Sequence, residues 1–297
     1  MKPLTLKGCG TALLTPFKKD GSLDREAFAA SVDRQIKAGI HFLVPLGTTG
    51  ETPCLDASER IEVLKIARAH SAGRPVVAGG GANSLSATLE NIKLLEPFNP
   101  DAFLIVVPYY NKPTQEGQYQ YFKAVAAATS KPIVIYNVPG RTGVNMEAAT
   151  TLRLARDVKN IVATKEASSK YSQISEVIKG APEGFSVLSG NDDETLSLMA
   201  TGAQGLISVA SNVAPALLVR LVEALLEDNM VEARRLHHLL SPLFKNLFIE
   251  SNPIPGKYAM AHLGLMENVL RLPLTCASPK TEEIMRGVLD ELKSAGL

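Results

Sequence analysis

The chain has 297 residues, 45% of them apolar and 21% charged, which is ordinary globular composition and enough length for one large α/β domain or two small ones. Its 31 lysines and arginines against 30 aspartates and glutamates leave a formal charge of +1, so no global field recruits nucleic acid or an anionic membrane. The three cysteines, Cys9, Cys54 and Cys276, lie far apart without CxxC spacing, residues 1–10 have no signal-peptide core and no window approaches a membrane span, which together point to the reducing cytoplasm.

Short apolar runs alternate with longer amphipathic ones along the chain. Residues 10–14 are the first predicted strand, backed by a helix over 24–38. The second strand, 42–46, precedes a helix over 58–70, where Asp56 with Glu59 three residues on is a capping-box signal. Strands at 75–78, 102–107 and 133–137 follow, with helices at 86–96, 114–129 and 146–155; Asn145 before Glu147 is the start signal of the last. Runs at 161–165, 185–189 and 205–209 complete the strands, with helices at 171–179, 193–199 and 215–227. Eight β/α units in strict alternation predict the α/β class and a (β/α)8 TIM barrel. A Rossmann-type open sheet is the alternative, weakened by the missing GxGxxG after the first strand. Helical stretches at 231–249, 256–262 and 281–295, separated by prolines 253, 255, 273 and 279, form a C-terminal helical extension without a core of its own. The expected division is a catalytic barrel over 1–228 and a helical region over 229–297.

In such a barrel the chemistry sits at the C-terminal ends of the strands. Lys165 closes the apolar run 161–164 and is followed at once by Glu166, Ser168 and Ser169. Burial there costs an ammonium its hydration and favours the free amine, which can attack a carbonyl. Lysines at a barrel rim commonly snorkel into water, and what turns the reading here is the neighbouring strand ends. The second carries Gly47-Thr48-Thr49-Gly50-Glu51, whose hydroxyls and glycine-freed amides suit a carboxylate, although a plain glycine turn would look the same. The fourth ends in Pro108-Tyr109-Tyr110-Asn111 and the fifth in Tyr136 through Arg141 and Thr142. A single tyrosine at a strand end is more often packing than chemistry, but two phenols and a guanidinium around one lysine are a constellation. Tyr136 is the candidate to pass the proton of a carbinolamine back and forth. The five histidines show no HxH or HExxH spacing, and GxSxG and P-loop motifs are missing, so neither a metal nor a cofactor is expected and imine chemistry remains.

The motifs Gly47 to Glu51, Pro108 to Asn111, Tyr136 to Thr142, Thr164-Lys165-Glu166-Ala167, Ser189-Gly190 and Gly205 to Val209 together resemble the dihydrodipicolinate synthase family, in order through most of the chain. The resemblance implies condensation of pyruvate with L-aspartate 4-semialdehyde for lysine and diaminopimelate biosynthesis, in a homotetramer built as a dimer of dimers. It implies Lys165 as the Schiff-base lysine, Tyr136 as general acid and base, and Thr48 linking it to Tyr110, which in the family comes from the neighbouring subunit. Thr49, Gly190 and the carbonyl of Ile207 would hold pyruvate, and Arg141 the semialdehyde carboxylate, which its planar fork suits. Tyr109 resembles an interface residue. Asn191 stands where relatives often have aspartate. Lysine-inhibited members carry a glutamate and histidines where this chain has Ala87, Ala57 and Arg60, though Asn83 and Tyr109 are retained, so weak or absent inhibition by L-lysine is expected. Two alternatives stay open: a pyruvate-dependent sugar-acid lyase of the N-acetylneuraminate or keto-deoxy-sugar type, disfavoured by Arg141 and the Thr48-Thr49 pair, and a catalytically silent 2-keto-acid-binding barrel, disfavoured by Lys165, Tyr136 and Tyr110 together.

Overall fold

Each of the eight apolar runs forms a strand in the computed structural model, which describes residues 4–294. Residues 1–3 of the stretch read for a signal segment, and Ala295 at the end of the last predicted helix, lie outside the described residues. The strands are β1 (Gly8–Ala12), β2 (Phe42–Val44), β3 (Val77–Gly79), β4 (Ala102–Val106), β5 (Ile133–Asn137), β6 (Ile161–Glu166), β7 (Ser186–Ser189) and β8 (Gly205–Ser208). They pair in parallel in the order β2-β1-β8-β7-β6-β5-β4-β3. The two end strands meet as well: Leu43 bridges Val76, its N–H donates to the Pro75 carbonyl at 2.9 Å, and the Gly79 N–H donates to the Pro45 carbonyl at 3.0 Å. Closure of the sheet makes this a (β/α)8 barrel and removes the open-sheet alternative.

The strand sequences run almost continuously apolar because both faces are covered. Ala12, Val44, Val77, Leu104, Val134 and Ala163 point inward and pack on one another in the barrel interior. Their neighbours Cys9, Leu43, Phe103, Ile135, Ile161 and Leu206 point outward and join the larger core beneath the helices. Those helices are α1 (Arg25–Lys37), α2 (Ala57–Ala69), α3 (Leu85–Leu95), α4 (Gln115–Ala127), α5 (Pro139–Thr142), α6 (Ala148–Asp157), α7 (Tyr171–Gly180), α8 (Thr195–Ala200) and α9 (Pro215–Leu226). Asp56 and Glu59 form a reciprocal capping box at α2, as their spacing predicts.

Asn145 does not cap α6. The helix starts at Ala148 with Glu147 at the cap position and no side-chain cap bond. Asn145 is instead drawn sideways, donating to Gln173 Oε1 at 2.8 Å and accepting from Asn137 Nδ2 at 3.2 Å, because the end of β5 offers it a buried partner. Residues 192–194 form a 3-10 turn ahead of α8, so that helix is shorter at its start than the sequence pattern suggests.

The tail folds as α10 (Met230–Asn246), α11 (Ile254–His262) and α12 (Pro279–Lys293). Leu236, Leu240, Leu243, Met285 and Leu289 belong to the same apolar cluster that covers the outside of the barrel. Between α10 and α11 the chain crosses the strand ends, where Phe248 and Asn252 border the cavity at the barrel mouth. No helix among the described residues is long and apolar enough to cross a membrane.

Candidate active site

Lys165 and Tyr136 face each other across adjacent strands. They are register partners in the β5–β6 pair, so their side chains leave the sheet on the same face. Lys165 is 5% exposed and Tyr136 7%, and the lysine Nζ lies 4.3 Å from the centre of the tyrosine ring. Both border a small cavity of about 50 Å³ that also touches Thr48, Thr49, Gly190 and Arg141. It adjoins a larger space of about 510 Å³ that shares Gly47, Thr48, Tyr136 and Arg141 and opens toward Tyr109.

The threonines ride on a tight turn after β2. Thr48–Gly50 is one 3-10 turn and Thr52–Cys54 a second, joined by Glu51 in the left-handed region at φ 51°. Thr49 is buried and its Oγ1 accepts a 3.0 Å bond from Asn252 Nδ2. Gly190 follows β7 where that strand end closes on β6: its N–H donates to the Glu166 carbonyl at 2.6 Å, and a Cβ there would stand 2.7 Å from the Cβ of Ala167. Only glycine fits so close an approach. Ile207 packs inside the barrel with Tyr136 and does not border the cavity, whereas Val209, two residues on, does.

Tyr110 is not brought to Lys165 by its own chain. It is 88% exposed, in the left-handed region at φ 72°, and borders neither cavity. Tyr109 is 38% exposed and lines the larger one. Arg141 sits on α5 at the rim, where its guanidinium donates to the Asn252 carbonyl at 3.2 Å. Ala87 and Arg60 both line the larger space, and Arg60 is already spoken for by Leu55 and Thr52 carbonyls at 3.0 and 3.2 Å and by Asn91 Oδ1 at 3.0 Å.

Several polar groups around the site have no role that the sequence alone indicates. Glu166 is the register partner of Asn137 on the opposite face from Lys165; burial pushes its carboxyl up to about 7, against bonds from Asn137 and Ser168 that favour the anion. Asp192, fully buried, accepts from Ser208 Oγ at 2.5 Å and from the N–H groups of Val209 and Ala210 at 3.0 and 3.2 Å, tying β7 to the end of β8; burial raises its carboxyl too, partly offset by those bonds and by Lys165. Asn191 bonds Glu194 at 3.0 Å and Ser169 at 3.1 Å. Asn252 was marked only by its neighbouring prolines, and Lys257, fully buried, by nothing local at all. Among the described residues no three of His, Cys, Asp and Glu gather as a metal-binding group.

A 4-hydroxy-tetrahydrodipicolinate synthase of Phocaeicola vulgatus is 47% identical over 97% of each chain. The solved dihydrodipicolinate synthase of Thermotoga maritima superposes with a TM-score of 0.95 at 45% identity, covering 97% of this chain and 99% of its own. That of Aquifex aeolicus gives 0.94 at 44% identity, covering 97% and 98%. Residues 5–292 match the family model, and the chain belongs to the dihydrodipicolinate synthetase family.

Proposed function

We propose that the chain is a lyase that condenses pyruvate with L-aspartate 4-semialdehyde to 4-hydroxy-tetrahydrodipicolinate through a Schiff base on Lys165. The observation that carries the reading is the buried register pair of Lys165 and Tyr136 inside a cavity bordered by Thr48, Thr49 and Arg141. As free amine, Lys165 attacks the pyruvate ketone. Tyr136 gives the carbinolamine hydroxyl the proton with which it leaves as water, and its phenolate then takes a methyl proton, which turns the iminium into an enamine and restores the phenol. The enamine carbon attacks the aldehyde of the semialdehyde, whose oxygen takes a proton from Tyr136. The substrate's own amine then adds to the imine carbon, closes the ring and expels Lys165. No cofactor or metal enters these steps.

Thr49 binds the pyruvate carboxylate in this scheme, Gly190 lines the same pocket, and Arg141 binds the carboxylate of the semialdehyde. Thr48 passes the proton between Tyr136 and Tyr110. The exposure of Tyr110 supports its serving the site of a second copy, in a dimer that pairs into a homotetramer. The three unpaired cysteines suit the cytoplasm. A coupled assay decides the acceptor: turnover of pyruvate with aspartate semialdehyde, and none with N-acetylneuraminate, is expected, and the reverse would make the chain a sugar-acid lyase.

A further inference from the structure

The turn that carries Thr48 and Thr49 is not held by its own strand alone. Glu51 closes the first 3-10 turn, its N–H donating to the Thr48 carbonyl at 3.1 Å, and opens the second, its carbonyl accepting from the Cys54 N–H at 2.8 Å. Its side chain is clamped at both oxygens by the tail: Oε1 meets Lys257 Nζ at 2.5 Å, and Oε2 accepts from the Arg271 N–H at 3.1 Å. Both side chains of the Glu51–Lys257 pair are fully out of water. Lys257 donates onward to the Val269 carbonyl at 2.8 Å and rests 4.0 Å from the centre of the Phe17 ring.

One short segment therefore grips the turn twice. Asn252, five residues before Lys257, donates to Thr49 Oγ1 at 3.0 Å. Arg271 ties down the far side of the same double turn, bonding the Cys54 carbonyl at 2.8 Å and the Gly21 carbonyl at 3.0 and 2.8 Å. A buried ion pair is a poor source of net stability, because two lost hydration shells offset most of the attraction. What it does supply is a fixed geometry, since neither partner can leave the other without stranding a buried charge. Burial pulls the Lys257 ammonium down to about 8, with Glu51 opposing.

We propose that Glu51 and Lys257 are positioning residues for the condensation: the tail uses this pair to set the Thr48 and Thr49 hydroxyls against Lys165 and Tyr136. The proposal rests on the reading of Thr49 as the pyruvate-carboxylate ligand. A displaced turn then weakens pyruvate capture while leaving Arg141, and with it the semialdehyde, in place.

The test uses Glu51→Gln, Lys257→Met and the double variant in the full-length protein. Each is checked for folding by circular dichroism and thermal melting, and then for half-saturating pyruvate by borohydride trapping on Lys165 and for KM of both substrates. Each folded variant, the double included, is expected to need about ten- to a hundredfold more pyruvate, the scale on which small misplacements act, with KM for the semialdehyde within about twofold. The double variant decides if a single one unfolds, because it leaves no unpaired buried charge. A folded double variant that captures pyruvate like the wild type overturns the proposal, as does unfolding of all three, which would assign the pair to folding alone. Equal rises in both KM values overturn it too. A wild type that forms no pyruvate adduct would instead sink the underlying reading of the reaction, a result distinct from all of these.

Discussion

Two tyrosines proposed for one proton relay stand in opposite circumstances. Tyr136 is 7% exposed, at the end of an interior strand, in register with Lys165; Tyr110 is 88% exposed on a loop in the left-handed region. The chain completes one end of the relay by itself, through sheet register, and leaves the other facing outward. A strand end can fix a side chain because hydrogen bonds on both sides hold its backbone, whereas a loop tyrosine with no cover needs a surface to pack on. The inner pair should therefore carry the chemistry, and the outer tyrosine should tune it.

The largest effect expected is from Lys165→Ala. One reduced pyruvate adduct per subunit should form at Lys165 in the wild type on borohydride treatment, read by intact-mass and peptide mass spectrometry, and disappear in the variant together with turnover. An undiminished adduct would move the nucleophile elsewhere. Next comes Tyr136→Phe, with kcat down by about a hundred- to ten-thousandfold, the usual worth of general acid and base assistance, and slow adduct formation retained. Tyr110→Phe should cost less, on the order of tenfold, and a loss equal to that of Tyr136→Phe would erase the contrast between the two regions.

Arg141→Ala tests the rim. Removing a charge-assisted pair should raise KM for the semialdehyde about ten- to a hundredfold with little change for pyruvate. Matching rises would make the arginine structural, through its bond to the Asn252 carbonyl.

A smaller effect is expected behind the sheet, at Glu166. Its carboxyl titrates at about 7 in the fold, above its ordinary value of 4.5, because burial disfavours the anion. The folded state thus holds the proton more tightly, so the group's contribution is fully present below about 4.5 and is lost as pH rises through about 7. The loss amounts to at most about 3 kcal/mol. Glu166→Gln should leave the melting temperature near that of the wild type at pH 4.5 and raise it by several degrees at pH 8. A variant less stable at both pH values would show that the Asn137 and Ser168 bonds outweigh the burial.

The smallest effect is expected from L-lysine. With Arg60 and Ala87 lining the larger space, a cationic ligand meets a fixed guanidinium. Two like charges about 4 Å apart at an effective dielectric near 20 repel by about 4 kcal/mol. Millimolar lysine at fixed pyruvate should leave steady-state rates unchanged, and inhibition below a millimolar would mean that other residues bind it.

The barrel and its central lysine were legible in the sequence because both rest on short-range pattern. An apolar run needs only its own residues to signal a strand buried on two faces, and eight such runs alternating with amphipathic stretches leave few topologies. Lys165 and Tyr136 each end such a run, so their place at the barrel mouth followed from counting strands. What encloses them did not. Thr49 meets Asn252 across 203 positions, and Glu51 meets Lys257 from the far side of the chain. Nothing in the local sequence of residues 252–257 distinguishes these contacts from ordinary helix entry. Asn145 shows the reverse failure: a sound capping signal lost to a stronger partner supplied by the end of β5. Local periodicity determined which backbone elements form and which residues stand at their ends, while the tertiary structure alone decided which buried polar groups find one another, because that depends on where the tail lands on the strand ends.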